Sequence, residues 1–276
     1  MITSPPLIDL LATAEVAARA AGAIARQNYR QPQNIRQKNG IRDLVTDTDV
    51  SAQEAALDAI HARYPDHSIL AEESAGPEPP DGVWTVDDGI TWAVDPVDGT
   101  TNFTLNLPMF CTSVGVVQDG KPIAGAIYDP LRDELFSAAL GLGASLNGER
   151  LHAIKPTTLN EAVIGVDWSH EPARRQQIVE LVAGLAHHCR TVRSLGSAVL
   201  GLAYVAAGRL HAYANFGLKP WDTAVGAVLI NELGGEIRRP DGKPWTFGES
   251  WLVAGHPALL DEIGRALTKQ AGPPFR

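Results

Sequence analysis

The residues in this chain whose types and spacing could do chemistry are carboxylates that arrive together. Asp95 and Asp98 stand three residues apart in the stretch Asp95-Pro96-Val97-Asp98-Gly99-Thr100-Thr101-Asn102-Phe103. Two close carboxylates repel, and without a partner one of them must hold a proton. A hard divalent cation removes that conflict, because Mg²⁺ prefers oxygen ligands in a near-octahedral array. Pro96 fixes one backbone angle and supplies no N–H, and Gly99 permits a conformation that a side chain would resist. A tight loop of this composition can turn Asp95, Asp98 and the Val97 carbonyl toward one point, with the Thr100 hydroxyl beside it. The same residues would also serve a strand-to-helix turn with an Asp cap, so the stretch taken alone leaves both uses open. Three further acidic segments accompany it: Asp43-Leu44-Val45-Thr46-Asp47-Thr48-Asp49, Glu72-Glu73-Ser74 and Trp221-Asp222. Capping is the ordinary use of an aspartate at a helix start, and it applies to Asp222 and to the 43–49 group. Three aspartates within 43–49 nevertheless exceed what one cap requires.

The surrounding pattern says how these groups are delivered. Ile90-Thr91-Trp92-Ala93-Val94 reads as a buried strand ending at Asp95, and His67 to Ala71 as a short strand running into Glu72-Glu73. Two acidic strand ends in one small region form a constellation, since open α/β sheets bind ligands at such ends. Upstream, Leu7, Leu10, Ala14, Ala17, Ala21 and Ile24 recur at spacings of three and four and predict a long helix to about Tyr29. Lys38 to Arg42 reads as a mobile loop. Thr48 or Asp47 is predicted to cap a helix that carries Val50, Leu57, Ile60 and Tyr64 inward and stops at Pro65-Asp66. Residues 75–91 read as a loop or hairpin, and 110–150 as an antiparallel meander with hairpins at Asp119-Gly120 and Asn147-Gly148. The second part alternates strands (162–166, 191–193, 210–214, 251–254) with helices (171–188, 197–207, one opened by Trp221-Asp222, and 257–269), and the tail 271–276 is predicted to fray. The expected organisation is an α+β half of about 1–155 followed by a layered α/β half of about 156–276.

Composition excludes several classes. The chain has 276 residues, a 45% apolar and 20% charged composition, and a net charge of −9, which describes a soluble globular protein. Nucleic acid is an unexpected partner, because it needs a basic footprint. An anionic substrate is not excluded, since bound metal reverses the local sign. Cys111 and Cys189 are isolated, as expected of thiols in a reducing, cytoplasmic setting. No secretory leader and no membrane-spanning run is read. His187-His188 falls on a helix surface, and no nucleophile–histidine arrangement or phosphate-cradling glycine loop emerges.

Taken together, in order and spacing, the four acidic segments with the helix from Trp221 through Gly234-Gly235 resemble the inositol monophosphatase family, metal-dependent and lithium-sensitive phosphatases, over roughly residues 10–260. The resemblance implies one phosphatase domain folded as a five-layered αβαβα sandwich. It implies that Glu72, Asp95 and the Val97 carbonyl hold one Mg²⁺ and that Asp95, Asp98 and Asp222 hold a second, with Glu72 helping a third and Mn²⁺ as a substitute. It implies that Asp49 and Thr100, with Glu72, activate a metal-bound water; that Gly99 and Thr100 offer N–H groups to the phosphate; that Lys38 lies on a loop near the metals; and that Gly196, Ser197, Ala198, Asn215 and Asp222 contact substrate. The expected activity is phosphoric monoester hydrolysis of inositol monophosphate by a cytoplasmic homodimer. Fructose 1,6-bisphosphate or another small sugar phosphate is the alternative substrate, and a non-catalytic regulatory protein on the same fold the alternative class. Inositol-selective members place a glutamate where this chain has Asn215, which can bond hydroxyls but brings no charge. Relatives acting on adenosine phosphates or histidinol phosphate tend to carry a basic residue where Thr101 stands.

Overall fold

The computed structural model describes residues 5–38, 40–79 and 82–270. The chain opens with helix α1 (Leu7–Asn28), whose Ala14, Ala17, Ala18, Ala21 and Ala25 are fully buried. These small side chains let α1 lie close against α2 (Asp47–His61) and against the sheet beneath. Between the two helices, β1 (Arg36–Gln37) and β2 (Leu44–Val45) pair antiparallel. Lys38 to Arg42, expected as a mobile loop, is thus spanned by a short hairpin, and Lys38 N–H donates to the Asp43 carbonyl at 2.9 Å. The α2 cap is Thr46, not Thr48 or Asp47, because the strand β2 brings Thr46 to the helix start in extended conformation.

The next strands are β3 (Ser68–Ala71) and β4 (Ile90–Asp98), then, after the short helix α3 (Thr100–Thr104), β5 (Cys111–Gln118), β6 (Lys121–Asp129), β7 (Glu134–Ala139), β8 (Gly143–Leu146) and β9 (Glu149–Arg150). They form a seven-stranded sheet in sequence order. Only β3 and β4 pair parallel, which sets Ala71 beside Val94 and hence Glu72 beside Asp95. The second part runs β10 (Val163–Val166), α4 (Pro172–Leu185), β11 (Thr191–Arg193), α5 (Ala198–Ala206), β12 (Ala212–Phe216), α6 (Pro220–Glu232), β13 (Glu236–Arg238), β14 (Trp251–Gly255) and α7 (Pro257–Gln270). Its five-stranded sheet has the order β11-β10-β12-β14-β13. The strand β13 was not read from the sequence, and α4 is shorter at both ends than the 171–188 expected. The tail 271–276 lies outside the described residues.

Burial defines the layers. One face of the large sheet packs against α1 and α2 through Trp92, Val94, Val114 and Tyr128. Helices α5 and α6 fill the space between the two sheets, touching Cys111, Ile127 and Phe136 on one side and Tyr213, Leu252 and Ala254 on the other. The far face of the small sheet carries α4 and α7 on Ile164, Phe216 and Val253. The result is the five-layered αβαβα sandwich. Gly115 lets α6 approach, since a Cβ there would lie 2.5 Å from the Ala224 methyl. Helix–sheet seams this tight place the start of α6 against the end of β4.

Candidate functional site

The aspartate pair sits in a strand, not in a loop beyond one. Strand β4 continues through Asp98, and a bulge lies between Asp95, opposite Ser113, and Asp98, opposite Cys111. In a regular strand residues three apart face opposite sides. The extra residue of the bulge brings Asp95 and Asp98 onto one side and re-aims them together. Pro96 removes an N–H where the ladder is broken, and Val97 N–H turns back to Asp95 Oδ1 at 3.0 Å. Gly99 then follows at φ +91°, where a Cβ would meet the Met109 carbonyl at 2.9 Å and the Gly196 carbonyl at 3.1 Å. This turn starts α3 and points Thr100 back at the pair.

Asp222 joins them from α6. Carboxylate oxygens of Asp95, Asp98 and Asp222 lie within 4.8 Å of one another, and Glu72 is in hydrogen-bond contact with Asp95. Asp222 does both jobs the sequence left open: Oδ2 accepts from Lys219 N–H at 2.7 Å as a cap, and the side chain still reaches the cluster. Asp98 accepts the start of α5, from Ser197 Oγ, from Val199 N–H at 2.9 Å and from Ala198 N–H at 3.3 Å. Asp49, fully buried, divides its two oxygens. Oδ2 completes a capping box with Thr46, at 2.9 Å from N–H and 2.5 Å from Oγ1, while Oδ1 accepts from Thr100 Oγ1 at 3.0 Å. Thr100 Oγ1 also lies 3.0 Å from the Val97 carbonyl.

This crowding disfavours charge. Burial, then Glu72, Asp98 and Asp222, hold Asp95 well above the usual carboxylate range. Burial pushes Asp98 up to about 7, against the bonds from Ser197 and Val199. Burial and Asp98 push Asp222 up to about 8, and burial raises Asp49 to about 6, against the Thr46 bond. The lysine read from the sequence is in place: Lys38 Nζ lies 2.7 Å from Glu72 and 3.0 Å from Glu73. Burial works against its charge, but the two glutamates more than offset that and raise its pKa. Glu73 is itself pushed up to about 7 by burial and by Glu72.

Sequence reading missed several residues that hold this arrangement. Asn102 donates to the carbonyls of Met109 and Leu195 at 2.7 and 2.8 Å, tying α3 to the loop before α5. Asp167, at the end of β10, accepts from Gly196 N–H at 2.7 Å and Ser194 Oγ at 2.8 Å. His170, an exposed residue, feels the charges of Asp43, Glu72, Lys38 and Lys219, and desolvation of its ring lowers its pKa. Asp167 was legible in principle as another strand ending in a carboxylate; Asn102 and His170 carried no such signal. Asn215 lies deeper than the rim, 5% exposed, with Nδ2 donating to Tyr213 OH at 3.1 Å. No donor among the described residues reaches its buried Oδ1, which for a protein-buried acceptor costs on the order of 1–3 kcal/mol.

An all-oxygen cluster of this kind is suited to a hard divalent cation. Residues 7–271 match the model of the inositol monophosphatase family, and the chain belongs to that family. It is 39% identical to the inositol-1-monophosphatase of Bacillus subtilis over 89% of this chain and 91% of the relative. It is 36% identical to the Nus factor SuhB of Escherichia coli K12, over 92% and 96% of the two chains. The solved inositol monophosphatase of Anabaena (Nostoc) sp. PCC 7120 superposes with a TM-score of 0.82 at 33% identity, covering 95% of this chain and 96% of that one. A staphylococcal IMPase-II has been solved with inositol monophosphate bound (TM-score 0.76, 30% identity, 93% and 92% coverage) and with 2′AMP bound (0.77, 30%, 97% and 100%). The protein is a phosphatase of this family, and no helix among the described residues is long and apolar enough to cross a membrane.

Proposed function

We propose that this protein is a Mg²⁺-dependent phosphomonoesterase that hydrolyses inositol monophosphate to inositol and phosphate. The observation that carries the reading is the meeting of Asp95, Asp98 and Asp222 oxygens within 4.8 Å, with Glu72 touching Asp95. Carboxylates kept this close and this buried are costly unless a cation joins them. The donor set is hard oxygen throughout, with the Val97 carbonyl adjoining, which fits Mg²⁺ and accepts Mn²⁺. Glu72, Asp95 and the Val97 carbonyl would hold one ion, and Asp95, Asp98 and Asp222 a second, with Glu72 available to a third. Bound there, the ions supply a nucleophile at neutral pH and neutralise charge on the phosphoryl and leaving oxygens.

The chain's own residues do the rest. Asp49, raised to about 6, is ionised at neutral pH yet basic enough to receive a proton at Oδ1 from Thr100 Oγ1, 3.0 Å away, as that hydroxyl takes one from the attacking water. Its other oxygen is fixed by Thr46, so the accepting oxygen cannot swing away. Gly99 and Thr100 present backbone N–H groups at the start of α3 to the phosphate. Lys38 keeps Glu72 and Glu73 from repelling an anionic substrate. The family resemblance assigns the alcohol part of the ester to Gly196, Ser197 and Ala198 at the α5 start, with Asn215 and Asp222.

A second reading, a regulatory partner on this fold, is favoured by the relatives named Nus factor SuhB. The complete acidic set here favours turnover. A cytoplasmic homodimer remains the assembly expected from the family resemblance. The experiment is phosphate release from inositol 1-phosphate, fructose 1,6-bisphosphate, adenosine 3′,5′-bisphosphate and histidinol phosphate, each with Mg²⁺ and with EDTA. Release from inositol 1-phosphate first, abolished by EDTA, is expected. Preference for another ester would move the substrate, and no release from any would sink the enzymatic reading.

A further inference from the structure

Two lysines stand beside the acidic cluster, and they use their charge differently. Lys38 Nζ pairs with Glu72 itself, at 2.7 Å. Lys219 adjoins Asp222: it caps α6, and its N–H donates to Asp222 Oδ2 at 2.7 Å. Against the burial and the Asp98 charge that raise Asp222, the Lys219 ammonium favours the charged carboxylate, so it acts on the cluster at close range. Cap and third helical residue are the pair whose side chains exchange contacts across a helix start, and a lysine stem is long and flexible. An ammonium so placed could close on the Asp222 carboxylate. It pairs instead with Glu78 Oε2 and lies 5.9 Å from the centre of the Trp84 ring.

Glu78 is built into that position. It belongs to the segment that leaves β3 through Glu72-Glu73 and returns at β4. Its Oε1 accepts at 3.3 Å from Nη2 of Arg174, in the first turn of α4, whose Nε lies 3.0 Å from Glu171. The side chains of Glu78, Arg174 and Lys219 are between 16% and 29% exposed, so the pairing is largely shielded from water. Beyond Glu78 the segment is tied to the second part of the chain. Ser250 Oγ donates to the Gly82 carbonyl at 3.2 Å, and Trp84 N–H to the Gly248 carbonyl at 3.2 Å. Gly82, at φ +69°, comes so close that a Cβ would lie 3.3 Å from Arg174 Nη2. Arg174 thus holds one oxygen of Glu78 and leaves the other to Lys219.

We propose that Glu78 is a positioning residue for the divalent-cation site: it holds the Lys219 ammonium away from Asp222, so that the carboxylate stays open to the cation while the Lys219 backbone still fixes it. This rests on the cation reading of the cluster and deepens it. The segment after β3 then serves the site twice, through Glu72 as a ligand and through Glu78 as the counter-charge to a competing cation. Partly buried charges at this range are weakly screened, and an ammonium released to compete with Mg²⁺ lowers its apparent affinity.

The test is calorimetric titration of Mg²⁺ into the EDTA-stripped protein, a readout that needs neither substrate nor turnover. Glu78→Gln keeps the shape of the side chain and removes its charge, and thermal melting in EDTA confirms that it folds. It is expected to raise the Kd for Mg²⁺ about 3- to 10-fold. Lys219→Met leaves Glu78 on Arg174 and the α6 cap on its backbone N–H, so it tests the same idea without disturbing the loop. It is expected to bind Mg²⁺ no more weakly than wild type. In the Lys219→Met background, Glu78→Gln is expected to change the Kd by less than about twofold, because the ammonium it restrains is gone. A clamp on the loop, or one negative charge acting at a distance, would be missed equally with and without Lys219. An undiminished effect in the Lys219→Met background, no effect of Glu78→Gln alone, or weaker binding by Lys219→Met would overturn the proposal while leaving the cation site intact. No Mg²⁺ binding by the wild-type protein would instead overturn the cation reading, and this inference with it.

Discussion

Two buried aspartates lie in strands of the same sheet and live in opposite surroundings. Asp129, at the end of β6, is fully buried and satisfied: Oδ1 accepts from Leu131 and Arg132 N–H at 3.0 and 3.1 Å, and Oδ2 takes Arg132 Nη1 at 2.7 Å. Asp95, in β4, is 2% exposed and has for company Glu72, Asp98 and Asp222, with one backbone donor from Val97. The first is what a fold does with a carboxylate it must bury: it surrounds it with donors and one cation. The second is what a fold does only when a ligand completes the balance. Burial alone therefore does not mark a functional carboxylate; the sign of its neighbours does.

The comparison breaks most sharply at activity. Asp95→Asn is expected to lower Mg²⁺-dependent phosphate release by roughly a thousandfold or more while the protein stays folded. Asp129→Ala is expected to leave turnover per folded molecule within about twofold, read as kcat beside a circular-dichroism melt. Equal losses would mean that Asp95 is as structural as Asp129.

The next effect is on pH dependence. Asp49, Asp98 and Asp222 are raised to about 6, 7 and 8 in the fold, against about 3.9 in the unfolded chain. Between those values the folded state binds more protons, so its stability falls as pH rises. Below about pH 4 both states are protonated and nothing is lost; above about pH 8 the whole penalty is present. In EDTA the melting temperature is expected to drop by about 5 °C or more from pH 5 to pH 8, and Mg²⁺ is expected to flatten that slope. A flat profile in EDTA would show that these carboxylates do not burden one another.

Stability separates the two aspartates in the other direction. Asp129→Ala is expected to cost roughly 2–3 kcal/mol in urea unfolding, because it orphans two N–H groups and a partly solvated guanidinium. In EDTA at neutral pH, Asp95→Asn is expected to melt no lower than wild type. The smallest effect is at Lys38, which already lends Glu72 a positive charge. Lys38→Met is expected to lower the Mg²⁺ concentration for half-maximal activity by about threefold to tenfold, since a competing cation is gone. A rise would show that Lys38 helps hold the site open.

Much of this architecture is legible in the sequence. The acidic strand ends, the long alanine face of α1 and the start of α6 at Trp221-Asp222 follow from local periodicity and residue type. What local pattern could not carry is how distant segments meet. The β4 bulge was read as a loop, because one extra residue in a ladder is visible only against its partner strand, Cys111 to Ser113. The cap was set on Thr48 or Asp47 because several capping residues follow one another, and only the pairing of β2 fixes Thr46 as the turning point. Asp167 and Tyr213 lie forty-six positions apart in sequence, and their bond has no signature in either neighbourhood.

The most direct test of the central claim, that the Asp95 cluster is a divalent-cation site, is calorimetric titration of Mg²⁺ into EDTA-stripped wild type, Asp95→Asn and Asp129→Asn. Binding to wild type and Asp129→Asn, and its loss in Asp95→Asn, are expected. Binding to Asp95→Asn with the wild-type heat and stoichiometry would contradict that claim.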